Sequence, residues 1–158
     1  MESDEKVGFD ELMERVAGLM DLARVALLST VDAEGRPRAR WMTPVTLPGL
    51  PGRIFAVSSP KFDKVLEIAA NPAVSWSIQT AGLDVVAEAR GQAWAVDDQK
   101  LKAGVLEAIG PHLEAFWNAN PNPRDLVVLE TGVDEIVLSY PLEGRTLRAA
   151  RKEESRGR

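Results

Sequence analysis

Residues 25–42, VALLSTVDAEGRPRARWM, decide the fold. The β-rich run Val25–Val31 meets Asp32-Ala33-Glu34-Gly35, where Gly35 supplies the positive φ that a tight hairpin turn needs. Arg38 to Thr46 then reads as the return strand. Side chains alternate along an extended chain, so Arg38, Arg40 and Met42 share one face, and Ala39, Trp41 and Thr43 share the other. Two arginines on one strand face are expensive to bury without an anion, and a guanidinium fork matches phosphate oxygens.

Working outward, Phe9, Leu12, Met13, Val16, Leu19 and Met20 recur at helical spacing and predict an amphipathic helix over residues 8–22. Downstream of the hairpin, residues 47–52 form a Pro/Gly loop and Arg53 to Ser58 a third strand. Lys61 to Ala70 is a helix stopped by Asn71-Pro72, because proline cannot extend the hydrogen-bond ladder. Val74–Gln79 and Val85–Val96 read as strands, the second bending near Gly91. Asp97-Asp98 caps a helix running to about Ile109, and His112 to Asn118 adds a short helical piece. After the rigid loop 120–123, Leu126–Thr131 and Glu135–Tyr140 read as a last strand pair. Six or seven strands with hairpin links and few helices predict a mainly β, antiparallel barrel of the α+β class. Residues 145–158 read as a charged, mobile tail.

Charge sets the local problem within this frame. The chain of 158 residues holds 19 Lys+Arg against 24 Asp+Glu, a net charge of −5. Residues 35–66 reverse that sign: Arg36, Arg38, Arg40, Arg53, Lys61 and Lys64 face one acid, Asp63, leaving +5 here and −10 elsewhere. An acidic chain argues against nucleic acid, which needs a broad basic face. No run approaches the roughly 18 apolar residues of a membrane helix, and MESDEK does not read as a signal peptide, so a cytoplasmic location is expected. With no cysteine and a single histidine, His112 in a loop or first helical turn, thiolate metal sites and a Ser–His–Asp triad are disfavoured.

The island's second half is the strand-to-helix turn Ser58-Ser59-Pro60-Lys61. It offers hydroxyls, backbone N–H groups and the positive end of the next helix. Lys64, one turn on, can reach the same point. From the residues alone, a hairpin with solvated arginines and a serine-capped helix explain the pattern equally well. The tryptophans divide similarly: Trp94 and Trp117 read as core, and Trp41 and Trp76 as either core or interface.

The ordered set VALLSTVDAEGRPRARWM, IFAVSSPKFDKVLEIAANPAVSWSI and VVAEARGQAWAVDD, continuing in AFWNANPNPRDLVVLETGVDEIVLSYP, resembles the pyridoxamine 5′-phosphate oxidase-like FMN-binding split barrels. It is most similar to their general stress protein branch. The resemblance implies a split β-barrel with peripheral helices as one FMN-binding domain over residues 1–144. It also implies a homodimer with FMN in clefts at the subunit interface, and flavin-mediated hydride or electron transfer to a small organic substrate. By position it assigns Arg40 and Lys64 to the FMN phosphate and matches Ser58 and Ser59 to the family's small polar residues after the third strand; Lys61, reaching from the turn, would replace the charge that relatives carry just before Lys64. The backbone of Trp41, Met42 and Thr43 would line the isoalloxazine edge, Gln79 would face the flavin, and Tyr140 would reach the partner's flavin. One departure is Phe62-Asp63 ahead of Lys64, where relatives commonly carry Arg or Ser. The tail also lacks the arginine-containing ending of true pyridoxamine 5′-phosphate oxidases, so that activity is not expected. The resemblance leaves the catalytic residues unassigned. The alternatives are a non-catalytic flavin sensor or stress module, a barrel using deazaflavin or haem, and a barrel that has lost its cofactor.

Overall fold

The computed structural model describes residues 6–111 and 113–152. Helix α1 (Phe9–Ala23) forms where the helical stripe runs, and Leu12, Met13, Val16, Leu19 and Met20 are all buried. Arg24 ends it in a left-handed conformation (φ 66°), its amide donating to the Met20 carbonyl. The same residue's guanidinium donates to the Ile109 carbonyl at 2.8 Å, at the C-terminal, partly negative end of helix α3 (Gln99–Ile109). Helices α2 (Asp63–Ala70) and α4 (Glu114–Ala119) complete the α-helices among the described residues.

Among the described residues seven strands build one antiparallel sheet: β1 (Ala26–Val31), β2 (Pro37–Met42), β3 (Arg53–Ser58), β4 (Ala73–Gln79), β5 (Val86–Val96), β6 (Val127–Tyr140) and β7 (Arg145–Ala150). Their order is β2-β1-β4-β5-β6-β3, with β7 also on β6. The sheet curls until its ends approach. Just beyond β2, Val45 exchanges two 2.8 Å backbone hydrogen bonds with Phe55 of β3. The result is the expected mainly β split barrel. α1 packs its apolar stripe against the inward residues Leu28, Ile54, Trp76, Ile78, Ile136 and Leu138. A second core lies on the other face of β3, where Phe55, Val57 and Val128 meet Val105, Ile109 and Phe116 of α3 and α4.

Four sequence expectations change. The return strand was expected to reach Thr46 but stops at Met42, because Pro44 has no N–H for the ladder; pairing resumes only at Val45. The expected strand pair 126–131 and 135–140 is one continuous strand, β6, whose first half pairs β3 and whose second half pairs β7. Residues 145–150, expected to be mobile tail, are strand β7, with Leu147 buried opposite Leu138. Trp94, read as core, is 38% exposed and lies over the Arg53 guanidinium at 5.2 Å. Trp76 is fully buried, donating to Thr131 Oγ1 at 3.0 Å, and Trp117 donates to the Gly110 carbonyl at 2.8 Å. His112 and residues 153–158 lie outside the described residues.

Two glycines explain how β6 stays continuous. A Cβ on Gly91 would fall 1.9 Å from the Gly132 carbonyl oxygen, at the point where the β5–β6 register shifts between Arg90 and Gly91. A Cβ on Gly132 would meet the Trp94 ring at 3.3 Å. Gly132, which reads locally as a turn, is a close approach between strands.

Candidate functional site

The hairpin register places the arginines as the alternation requires. Arg38 lies opposite Thr30, Arg40 opposite Leu28 and Met42 opposite Ala26, and those three β1 residues are buried. All six side chains therefore sit on the inward face. Asp32 fixes the turn, its Oδ1 accepting from the amides of Glu34 and Arg36 at 3.0 and 2.9 Å.

Arg40 is only partly exposed and well held. Its Nη1 donates to Thr30 Oγ1 at 2.7 Å and to the Leu28 carbonyl at 3.4 Å, and its Nη2 donates to Glu67 Oε2 at 3.1 Å. The Thr30 hydroxyl donates in turn to the same Glu67 oxygen. Glu67 comes from α2, which crosses this end of the barrel. The Thr30 hydroxyl first, and then Arg40 with help from Arg38, hold the Glu67 carboxyl below the usual glutamate value.

Lys64 lies one helical turn before Glu67. Its pKa is lowered, first by burial and then by the positive charge of Arg40. Its ammonium sits over the Phe62 ring at 4.5 Å. Asp63, the island's one acid, is exposed. Three cations and one half-buried carboxylate thus meet where β1, β2 and α2 converge. The arrangement is electropositive by one charge when the exposed Asp63, which acts on Lys64, is counted with Glu67.

The remaining sequence candidates spread out. Ser58 ends β3 with its Oγ buried and without a hydrogen-bond partner. Ser59 Oγ accepts from the Lys61 amide at 3.3 Å, and Lys61 itself is exposed. These three residues form the link into α2, whose N-cap position, Phe62, makes no side-chain cap. Trp41 points to the opposite face from Arg40 and is 66% exposed. Met42 packs on the main core, and Thr43 lines a small cavity of about 20 Å³ with Arg24 and Ile109. Gln79 is exposed at the end of β4. The Tyr140 hydroxyl accepts from Arg15 at 3.2 Å, and its ring lies under the Arg145 guanidinium at 4.4 Å. A larger cleft of about 190 Å³ lies elsewhere, between α1 and the loop before β3, lined by Met13, Leu47, Leu50 and Arg53 among others.

This architecture agrees with a family match. The sequence pattern of pyridoxamine 5′-phosphate oxidase matches residues 12–139, most of the barrel. The chain belongs to the pyridoxamine 5′-phosphate oxidase family. Solved structures share the fold of this family member at low identity. General stress protein 26 from Bacillus anthracis str. Sterne is 18% identical, with a TM-score of 0.67 over 87% of this chain and 98% of that one. A pyridoxamine 5′-phosphate oxidase-related, FMN binding protein from Nostoc punctiforme PCC 73102 is 14% identical, with a TM-score of 0.67 over 89% and 90% of the two chains. A heme binding protein from Mycobacterium smegmatis is 21% identical, with a TM-score of 0.65 over 85% of this chain and 56% of that one. No curated protein matches the chain significantly.

In this pyridoxamine 5′-phosphate oxidase family member, sequence reading paired Arg40 with Lys64 and missed Thr30 and Glu67. A partial signal existed: Glu67 stands three residues after Lys64, so both lie on one helix face. That this face meets Arg40 required the tertiary structure. Among the described residues no three His, Asp or Glu side chains group closely enough to hold a metal ion, and no helix is long and apolar enough to cross a membrane.

Proposed function

We propose that the protein is an FMN-binding flavoprotein that works as a cytoplasmic homodimer and supports oxidoreduction of a small organic substrate. The observation carrying this reading is the cluster of Arg38, Arg40 and Lys64 around Glu67. A phosphate monoester carries up to two negative charges near neutral pH, and the cluster's net positive charge attracts such a group. Arg40 spends three of its five N–H groups on Thr30, Leu28 and Glu67. Two have no partner among the described residues, and a ligand that displaces Glu67 would gain a third. The buried, unpartnered Ser58 Oγ at the end of β3 is a further donor in the segment leading to α2. The residues present fit a phosphate-bearing cofactor, and the FMN binding relative of the same fold favours flavin.

In this reading Arg40 and Lys64 hold the phosphate, with Arg38 adding field and Ser58, Ser59 and Lys61 adding donors. When bound, FMN supplies the two-electron redox chemistry of its isoalloxazine ring. The protein would contribute placement: the backbone of residues 41–43, together with Gln79, would line the ring, and Tyr140 would serve the site of the partner copy. The homodimer is supported by Trp41, whose indole is 66% exposed on the outward face of β2. Such a residue is favoured at an interface.

The test is direct. The purified protein should be yellow or bind added FMN, release it on denaturation, and elute as a dimer. Arg40→Ala and Lys64→Ala should each weaken FMN binding by roughly 1.5–3 kcal/mol, the range for hydrogen bonds to charged groups. A colourless protein that gives no signal on FMN titration refutes the reading, and a haem spectrum replaces it. Turnover with NADH or NADPH separates an oxidoreductase from a flavin-binding module.

A further inference from the structure

Glu67 is paired with Arg40, the residue to which the reading above assigns the phosphate. The Glu67 side chain is 10% exposed, and it takes one hydrogen bond from Thr30 and one from Arg40. Lys64 makes no direct ion pair among the described residues and rests on Phe62 instead. A phosphate engaging both Arg40 and Lys64 must set its oxygens beside the Glu67 carboxylate. Like charges that close repel strongly where water is partly excluded.

We infer that Glu67 is a built-in counter-ion that a phosphate monoester must displace from Arg40, so that this carboxylate sets how tightly the cluster binds a dianion. The inference rests on the phosphate-site reading above and adds a positioning residue that acts through Arg40. In the ligand-free protein Glu67 offsets the mutual repulsion of Arg40 and Lys64. On binding, the phosphate takes over that role, so binding is an exchange of counter-ions at Arg40 rather than the filling of an unpaired site. A purely structural brace would behave in the opposite way: removing it would disorder Arg40 and weaken the ligand.

The experiment compares wild type, E67Q and E67D by calorimetric titration and thermal shift, with inorganic phosphate, FMN and riboflavin as probes. E67Q should melt lower than wild type in phosphate-free buffer and show a larger upward shift when phosphate is added. Its phosphate and FMN affinities should rise roughly tenfold, the equivalent of about 1.4 kcal/mol. Riboflavin, which lacks the phosphate, should bind all three proteins alike. E67D keeps the charge but withdraws it by one methylene, so it should give an intermediate rise and keeps the test open where E67Q folds poorly. Equal or weaker phosphate binding in both variants overturns the inference. Phosphate binding that behaves as expected, with no FMN binding to wild type, overturns only the cofactor reading.

Discussion

Replacing Arg40 and Glu67 singly and together probes the cluster without any ligand. Their side chains are 21% and 10% exposed, so the pair lies between a surface and a buried ion pair. A surface pair contributes about 0–1 kcal/mol, whereas removing one member of a buried pair costs about 3–5 kcal/mol. The two single changes should not be equivalent. Arg40→Met leaves Glu67 with the Thr30 hydroxyl and with Lys64 and Arg38 nearby, so its cost should be about 1–2 kcal/mol, toward the surface limit. Glu67→Gln leaves Arg40 and Lys64 facing each other, and should cost about 3 kcal/mol, toward the buried limit. The double variant should lose less than the sum, with a coupling of about 1.5–2 kcal/mol. Urea unfolding followed by tryptophan fluorescence in phosphate-free buffer measures all four proteins. A coupling under about 0.5 kcal/mol, the scatter of independent sites, would refute the idea that this pair holds the β1–β2–α2 junction. A larger loss for Arg40→Met than for Glu67→Gln would refute the repulsion between the two cations.

Acid should weaken the same junction. The folded Glu67 pKa is depressed below its ordinary value of 4.5, so its contribution is complete above that value and is lost as pH falls through the depressed one. Glu88, lowered by Arg90 and then Ser75, acts with the same sign, so Glu67→Gln should flatten, without abolishing, the fall in stability below about pH 4.5. Gly91→Ala should be far more damaging than its size suggests, costing about 3 kcal/mol or more, because its Cβ would collide with the Gly132 backbone. Gly18→Ala, at an exposed helical position with nothing within 4 Å, should instead stabilise by up to about 1 kcal/mol; thermal melts that fail to separate the two would contradict the strand-crossing geometry. Trp41→Glu should shift the assembly toward monomer in light scattering with little change in the monomer's own stability, since the indole is mostly exposed; an unchanged mass would place any interface elsewhere.

The barrel was legible because its signals are local. Alternation in Arg38–Met42, the Asp32–Gly35 turn, Pro72 and the α1 stripe each act within a few residues, and each appears in the structure where the spacing puts it. The misread elements depend on distant partners. β6 passes through Gly132 because Gly91 and Trp94 lie against it from the neighbouring strand. β7 forms from a charged segment because β6 offers it an open edge and a place for Leu147.

The same division runs through the candidate site. The sequence by itself determined that a basic island stands on a strand face and a helix start, and the family resemblance singled out Arg40 and Lys64 within it as the expected phosphate contacts. It could not show that α2 turns Glu67 onto Arg40, or that Thr30 supplies the hydroxyl between them. That outcome depends on how β1, β2 and α2 pack. The range of a strand's alternation or a helix's turn is a few residues, whereas Glu67 and Thr30 meet only after the sheet has curled and the helix has docked. Tertiary structure alone therefore decided that the island's cations carry a counter-ion of their own.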